Sequence, residues 1–134
     1  MESPEERRRI MQAVKSCNTI PEIRVRRLVH AEGYRYRLHV RLLPGCPDLV
    51  FPSRRKVIFV NGCFWHGHTC ARGSRVPKAN RQYWERKIAR NKERDLASLN
   101  ELEALGWQVL TIWECEMRVI DIAALKRFLE GEAE

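Results

Sequence analysis

The run PGCPDLVFPSRRKVIFVNGCFWHGHTC, residues 44–70, decides how the rest of the chain is read. It opens as a Pro/Gly turn, passes Asp48 just after Pro47, and continues as a short apolar strand, LVF. Ser53-Arg54-Arg55 turns the chain, and KVIFV, residues 56–60, reads as a second, fully buried strand. A loop follows at once. It sets two bulky aromatics, Phe64 and Trp65, among two cysteines and two histidines. Metal ligation accounts for the Cys and His residues but not for Phe64 and Trp65.

Working outward, Ser3-Pro4-Glu5-Glu6 has the order of an N-cap, a first-turn proline and a capping-box glutamate, and predicts an Arg-rich helix over about residues 4–17. Thr19-Ile20-Pro21-Glu22 repeats the signal and opens a second helix that ends near Gly33. YRYRLHV, residues 34–40, alternates as a half-exposed strand does. A long helix is predicted from about Arg81 to Leu105, stopped by Gly106. WQVLTIWE then reads as another buried strand, and VIDIAALKRFLE as a closing amphipathic helix. Helices flanking several short strands make the class α/β. No repeat or linker divides the chain, so residues 1–134 form one domain. Strand order does not follow from this pattern.

Lys and Arg number 25 against 17 Asp and Glu, a net charge of +8. Such a surplus either favours a polyanionic partner, nucleic acid first, or is a solvated basic surface. No apolar run reaches membrane-spanning length and no signal peptide is visible, which predicts a soluble, cytoplasmic protein with no membrane partner. Five cysteines without a signal peptide argue against a disulfide framework. Cys63, His68 and Cys70 lie within eight residues, and Cys115 can join them if its strand neighbours KVIFV. Thiolates plus imidazole describe a closed structural zinc site. His66 fits the same short spacing as His68, so either histidine can be the ligand. Cys17 and Cys46 read as thiols outside that group.

On the long helix, Trp84, Ile88, Asn91, Asp95, Leu99, Leu102 and Leu105 recur every three or four residues and share a face. Its C-terminal half reads as core. A carboxylate on a core-facing stripe is costly without a partner, so Asp95 meets a histidine, a basic group or a metal, with His66 the natural candidate; otherwise the stripe twists out to solvent there. Pro-Asp before a strand, a turn and a second buried strand is the skeleton of many Mg²⁺-dependent nucleases, where the Asp holds the metal. Those enzymes commonly carry Glu-x-Lys on the second strand, which in this chain reads VIFVNG. His66, oriented by Asp95, can serve instead as general base. Glu22 either faces this site from the second helix or only caps that helix. Phe64 and Trp65, on a stiffened loop, either wedge between base pairs or cover the metal and join the core.

In LPGCPDLVF, VIFVNGCFWHGHTC, VPKANRQYWERKIARNKERD and LGWQVLTIWECEMR the chain resembles the very-short-patch repair (Vsr) DNA mismatch endonucleases. The resemblance runs from the first helix to about Arg118. It implies a restriction-endonuclease-like, PD-(D/E)xK-related fold, a central mixed sheet flanked by helices. It implies Mg²⁺-dependent nicking of one strand 5′ of the thymine in a T:G mismatch, the lesion left by deaminated 5-methylcytosine. Asp48 would bind Mg²⁺ by its carboxylate and Val60 by its carbonyl, where the family commonly has Thr. His66 would move the proton and Asp95 fix its ring. Cys63, His68, Cys70 and Cys115 would hold zinc. Phe64, Trp65 and Trp84 would enter the base stack from the major-groove side, Lys87 and Asn91 would read the mispair, and the basic first helix, around Met11, would lie across the minor groove. The partner implied is double-stranded DNA carrying the mismatch, bound by a monomer in the bacterial cytoplasm at the nucleoid, with mismatch-repair helper proteins as further partners. Two rivals remain: a nuclease of the same fold with another mismatch or sequence specificity, and a zinc-stabilised DNA-binding module without catalysis.

Overall fold

In the computed structural model, which describes residues 19–63, 66, 68, 70 and 78–131, helix α1 (Ile20–Ala31) starts at Thr19, whose hydroxyl accepts from the Glu22 amide. Pro21 sits in the first turn, where its missing N–H is not needed, and Gly33 leaves the helix at φ +93°. Val25 and Val29, four apart on one face, are wholly buried. The helix expected over residues 4–17, with Met11, lies outside the described residues, as do Phe64 and Trp65.

Strands β1 (Arg37–Leu38), β2 (Leu49–Phe51), β3 (Lys56–Asn61) and β4 (Gln108–Trp113) form one sheet in chain order. The first two pairings are antiparallel and β3–β4 is parallel, so the sheet is mixed. A single 3₁₀ turn at Pro52–Arg54, followed by Arg55 at φ +56°, reverses the chain between β2 and β3. A parallel pair needs a long crossover, and helix α2 (Arg81–Ala104) is part of it. Alternate residues serve opposite faces. Leu49, Phe51, Ile58 and Ile112 pack with Val25 and Val29 of α1 and with Leu125 and Leu129 of helix α3 (Ile122–Glu130). Val50 and Val57 pack on the other face with Leu102 of α2. Helices therefore cover both sides.

Lys56, at the start of β3, is only 2% exposed. Its ammonium donates to the carbonyls of Phe128 and Gly131, satisfying the end of α3. Burial lowers its pKa. Among the described residues, no helix is long and apolar enough to cross a membrane.

Three expectations change. YRYRLHV forms a strand only at Arg37–Leu38, because His39 turns to φ +48° and leaves the extended region. KVIFV is buried only through Ile58, and β4 is mostly half-buried, since β4 is an edge strand and both run out toward an open sheet end. Leu105 is 54% exposed rather than core, because the helix has already turned out toward Gly106 at φ +90°.

The turn that delivers Asp48 is tightly built. Gly45 (φ +76°) and Cys46 (φ +49°) are both left-handed, and a Cβ on Gly45 would stand 2.9 Å from the Ser98 side chain and 3.2 Å from the Phe59 ring. Gly45→Ala should cost about 1–3 kcal/mol from the left-handed backbone, with a further cost from the clash, read as a lower urea midpoint; an unchanged midpoint would contradict this packing.

Candidate functional site

Asp48 stands at the mouth of β2. Its Oδ2 accepts from the Val60 amide at 2.7 Å, and its own carbonyl accepts from the His39 amide at 3.3 Å. The His39 ring turns back into the same space, with Nε2 3.9 Å from Asp48 Oδ1 and 3.0 Å from Glu22 Oε2. Glu22, only 2% exposed, also takes the Arg26 guanidinium one helical turn on. Ligand atoms of Glu22, His39 and Asp48 all lie within 4.8 Å of one another. Glu22 thus faces the Asp48 site as well as standing in the first turn of its helix. Burial raises the Asp48 pKa; the Val60 N–H, His39, His66 and Arg26 pull the other way. Two carboxylates and an imidazole converging in a desolvated corner are a donor set suited to a divalent cation.

His66 follows the same end of β3 to which Asp48 is bound through the Val60 amide, near enough for its charge to act on the carboxylate. The His66 amide donates to the Gly62 carbonyl at 3.2 Å, fixing the start of the loop. Its Nδ1 is 2.5 Å from Asp95 Oδ2 of α2. An ionised carboxylate only accepts, so Nδ1 carries the proton and Nε2 of the neutral ring is left as a base. Asp95 has the histidine partner that its place on the stripe calls for. The ring also meets Trp113 edge-on, centroids 6.3 Å apart at 73°.

Beside it, Cys63, His68, Cys70 and Cys115 gather with their ligand atoms within 4.8 Å of one another. Cys63 is buried at the end of β3, and its Sγ accepts from the Cys115 amide at 3.4 Å. Cys115 Sγ lies 3.5 Å from His68 Nδ1. His68, not His66, belongs to this group. Burial pushes the Cys63 thiol up to about 12, while a bound cation favours the thiolate. Three sulfurs and one imidazole fit a soft or borderline metal held in a closed tetrahedral set. His68 stacks on Trp113, centroids 4.2 Å apart and planes 17° from parallel. Trp113 therefore touches both the cluster histidine and the histidine held by Asp95.

On α2, Trp84 is half-buried with its ring edge-on to Tyr83 at 5.1 Å. Lys87 Nζ lies 5.9 Å from the Tyr83 ring centroid. Asn91 is 8% exposed, and its Oδ1 accepts from Arg94. Asp95 and Asn91 thus lie on one face, with Trp84 further toward the helix start.

Sequence reasoning missed His39 and Trp113. His39 looked like one more member of an alternating strand, and its left-handed backbone has no sequence signature. Trp113 looked like core, although its place two residues before Cys115 in IWEC was a usable signal.

A family model described as DNA mismatch endonuclease Vsr matches residues 1–72. The chain is 53% identical over 129 residues to the type II nicking enzyme V.XorIIP of Xanthomonas oryzae pv. oryzae, covering 96% of this chain and 93% of that one. It is 40% identical over 109 residues to the type II nicking enzyme V.NmeAIP of Neisseria meningitidis serogroup A, covering 81% and 77%. It is 41% identical over 108 residues to the DNA mismatch endonuclease Vsr of Escherichia coli, covering 81% and 69%.

Because burial raises the Asp48 pKa, the fold favours its protonated form. That stability is fully present below the unfolded-chain value of about 3.9 and is lost as pH rises through the raised folded value. In metal-free protein at neutral pH, Asp48→Asn should therefore raise the urea midpoint, and its advantage should shrink toward pH 4. A lower midpoint for the variant at pH 7 would contradict the desolvated carboxylate.

Proposed function

The chain belongs to the DNA mismatch endonuclease Vsr family, and on that premise we propose that it nicks one strand 5′ of the thymine in a T:G mismatch, with Mg²⁺ as the catalytic ion and Zn²⁺ as a structural one. It is a DNA-cleaving hydrolase. The observation that supports this reading is the His66 imidazole held by Asp95 at the same end of β3 that binds the Asp48 carboxylate.

Asp48 and the Val60 carbonyl would hold Mg²⁺, with Glu22 alongside. When bound, the ion supplies positive charge at the phosphate and a more acidic water. His66 Nε2 takes the proton of the attacking water, and Asp95 keeps the ring in the one tautomer that can do so. Lys56 is committed to the end of α3, so His66 stands in for the lysine that related nucleases carry on this strand. The mixed sheet with helices on both faces supports the restriction-endonuclease-like reading of the fold.

Cys63, His68, Cys70 and Cys115 would hold zinc with no open position, so its task is to keep the loop in shape. Phe64 and Trp65, with Trp84, wedge into the stack. Unstacking costs a few kcal/mol per step, and less at a wobble pair, so intercalation itself discriminates. Lys87 and Asn91 read the mispair, and the basic segment around Met11 lies across the minor groove. Phosphate contacts by the basic residues add salt-dependent affinity that carries no sequence information. The protein acts as a monomer in the cytoplasm. A second reading, nicking with a different mismatch or sequence preference, is favoured by the type II nicking enzymes among the relatives.

End-labelled duplexes carrying each mismatch, incubated with protein and Mg²⁺, separate the two. A single nick 5′ of the mispaired thymine is expected, abolished by Asp48→Ala and slowed about 10²–10⁴-fold by His66→Ala. Trp65→Ala should weaken mismatched DNA more than matched DNA. Cutting by Asp48→Ala at the wild-type rate would refute the metal assignment; preferred cutting at another mismatch would select the second reading.

A further inference from the structure

We infer that His39 is a third ligand of the divalent ion at Glu22 and Asp48, and that it moves the preference of this site from Mg²⁺ toward Mn²⁺. The inference rests on the reading of Asp48 as a metal carboxylate and adds to it a residue and a cation class.

Two of the three separations fall within the range of a coordination shell. For an octahedral ion with bonds of about 2.1 Å, neighbouring ligand atoms stand about 3.0 Å apart and opposite ones about 4.2 Å. His39 Nε2 is 3.0 Å from Glu22 Oε2 and 3.9 Å from Asp48 Oδ1, and the three ligand atoms lie within 4.8 Å of one another. The three side chains thus converge on one corner, with the His39–Glu22 hydrogen bond as the contact that a bound ion would replace. The three come from separate elements: α1, the residue just after β1, and the residue just before β2. The backbone turn at His39 (φ +48°) is what sends its ring inward instead of along the strand. In the fold, Nε2 donates to Glu22 Oε2 at 3.0 Å; to ligate, the ring moves its proton to Nδ1, gives up that bond and offers the Nε2 lone pair to the ion.

The donor set then selects the ion. Mg²⁺ dehydrates reluctantly and prefers carboxylates, phosphates and water. Imidazole suits first-row transition ions better. Glu22 is moreover shared with the Arg26 guanidinium, which offsets part of the negative charge on which a hard ion relies. Mn²⁺ has the same octahedral preference and gains from the nitrogen. The Cys/His cluster is not a rival for it, since three sulfurs favour softer metals.

The test uses full-length, zinc-loaded protein. Mn²⁺ and Mg²⁺ affinities are measured by calorimetry, and electron spin-echo spectra of bound Mn²⁺ are searched for imidazole ¹⁴N coupling. Wild type and His66→Ala should show that coupling; His39→Ala and His39→Gln should not. Both His39 variants should weaken Mn²⁺ by at least about tenfold and Mg²⁺ by clearly less. Coupling that persists in the His39 variants, that is missing from wild type, or that is lost in His66→Ala instead, overturns the inference. So does equal weakening of the two ions, which would make His39 a positioning residue for the carboxylates. Asp48→Asn distinguishes the underlying reading: Mn²⁺ bound at wild-type strength there would remove Asp48 as a ligand, whereas loss of Mn²⁺ there, with no effect of the His39 variants, removes His39 alone.

Discussion

Parallel pairing between β3 and β4 ends at Asn61↔Trp113, so both strands leave the sheet at the same edge. One runs straight into Gly62 and Cys63, the other into Glu114 and Cys115. Two cysteines 52 residues apart are thereby set with the Cys63 sulfur accepting from the Cys115 amide. The antiparallel pairing of β2 with β3 matches Leu49 to Ile58. It leaves Asp48 one residue beyond that pair, within reach of the Val60 amide. A carboxylate corner, a histidine and a Cys/His cluster thus arise from one end of one small sheet.

What holds the histidine there is local. Cys63, just past β3, is buried where a bare thiolate is disfavoured. A soft cation would reverse that preference, so the proposed metal would also hold Cys63, His68, Cys70 and Cys115 together. Trp113 links the two tasks. Its ring stacks on His68 of the cluster and meets His66 edge-on, and α2 closes the arrangement by presenting Asp95 to the far side of the imidazole. Position and tautomer of His66 are therefore set by groups from three elements.

Much of this was legible from the sequence. Thr19-Ile20-Pro21-Glu22 and Gly33 marked the ends of α1, and Gly106 the end of α2, because caps and left-handed exits need particular residues. Asp95 could be recognised as a carboxylate on a largely apolar stripe that calls for a partner, although its side chain is 41% exposed in the fold and the cost of burial there is only partial. That Cys115 reaches Cys63 depends on β3 and β4 being neighbours. Residue patterns can state that condition but do not fulfil it, since pairing order is a non-local property. The choice between His66 and His68 needed geometry for the same reason. His39 was hidden by a backbone turn within an alternating stretch. The two roles open to Glu22 could not be separated by spacing, because the capping position and the site-facing position are the same residue.

A metal in the Cys/His cluster would brace His66 against Asp95, at the same end of β3 as Asp48. The direct measurement is the low-field proton resonance of His66 Nδ1–H, assigned by its loss in His66→Gln and Asp95→Asn, followed as a chelator withdraws zinc. The expected result is a sharp resonance in the zinc-bound protein that disappears on chelation while amide signals of α1 and β2 persist. A resonance that survives complete zinc removal unchanged would contradict the claim.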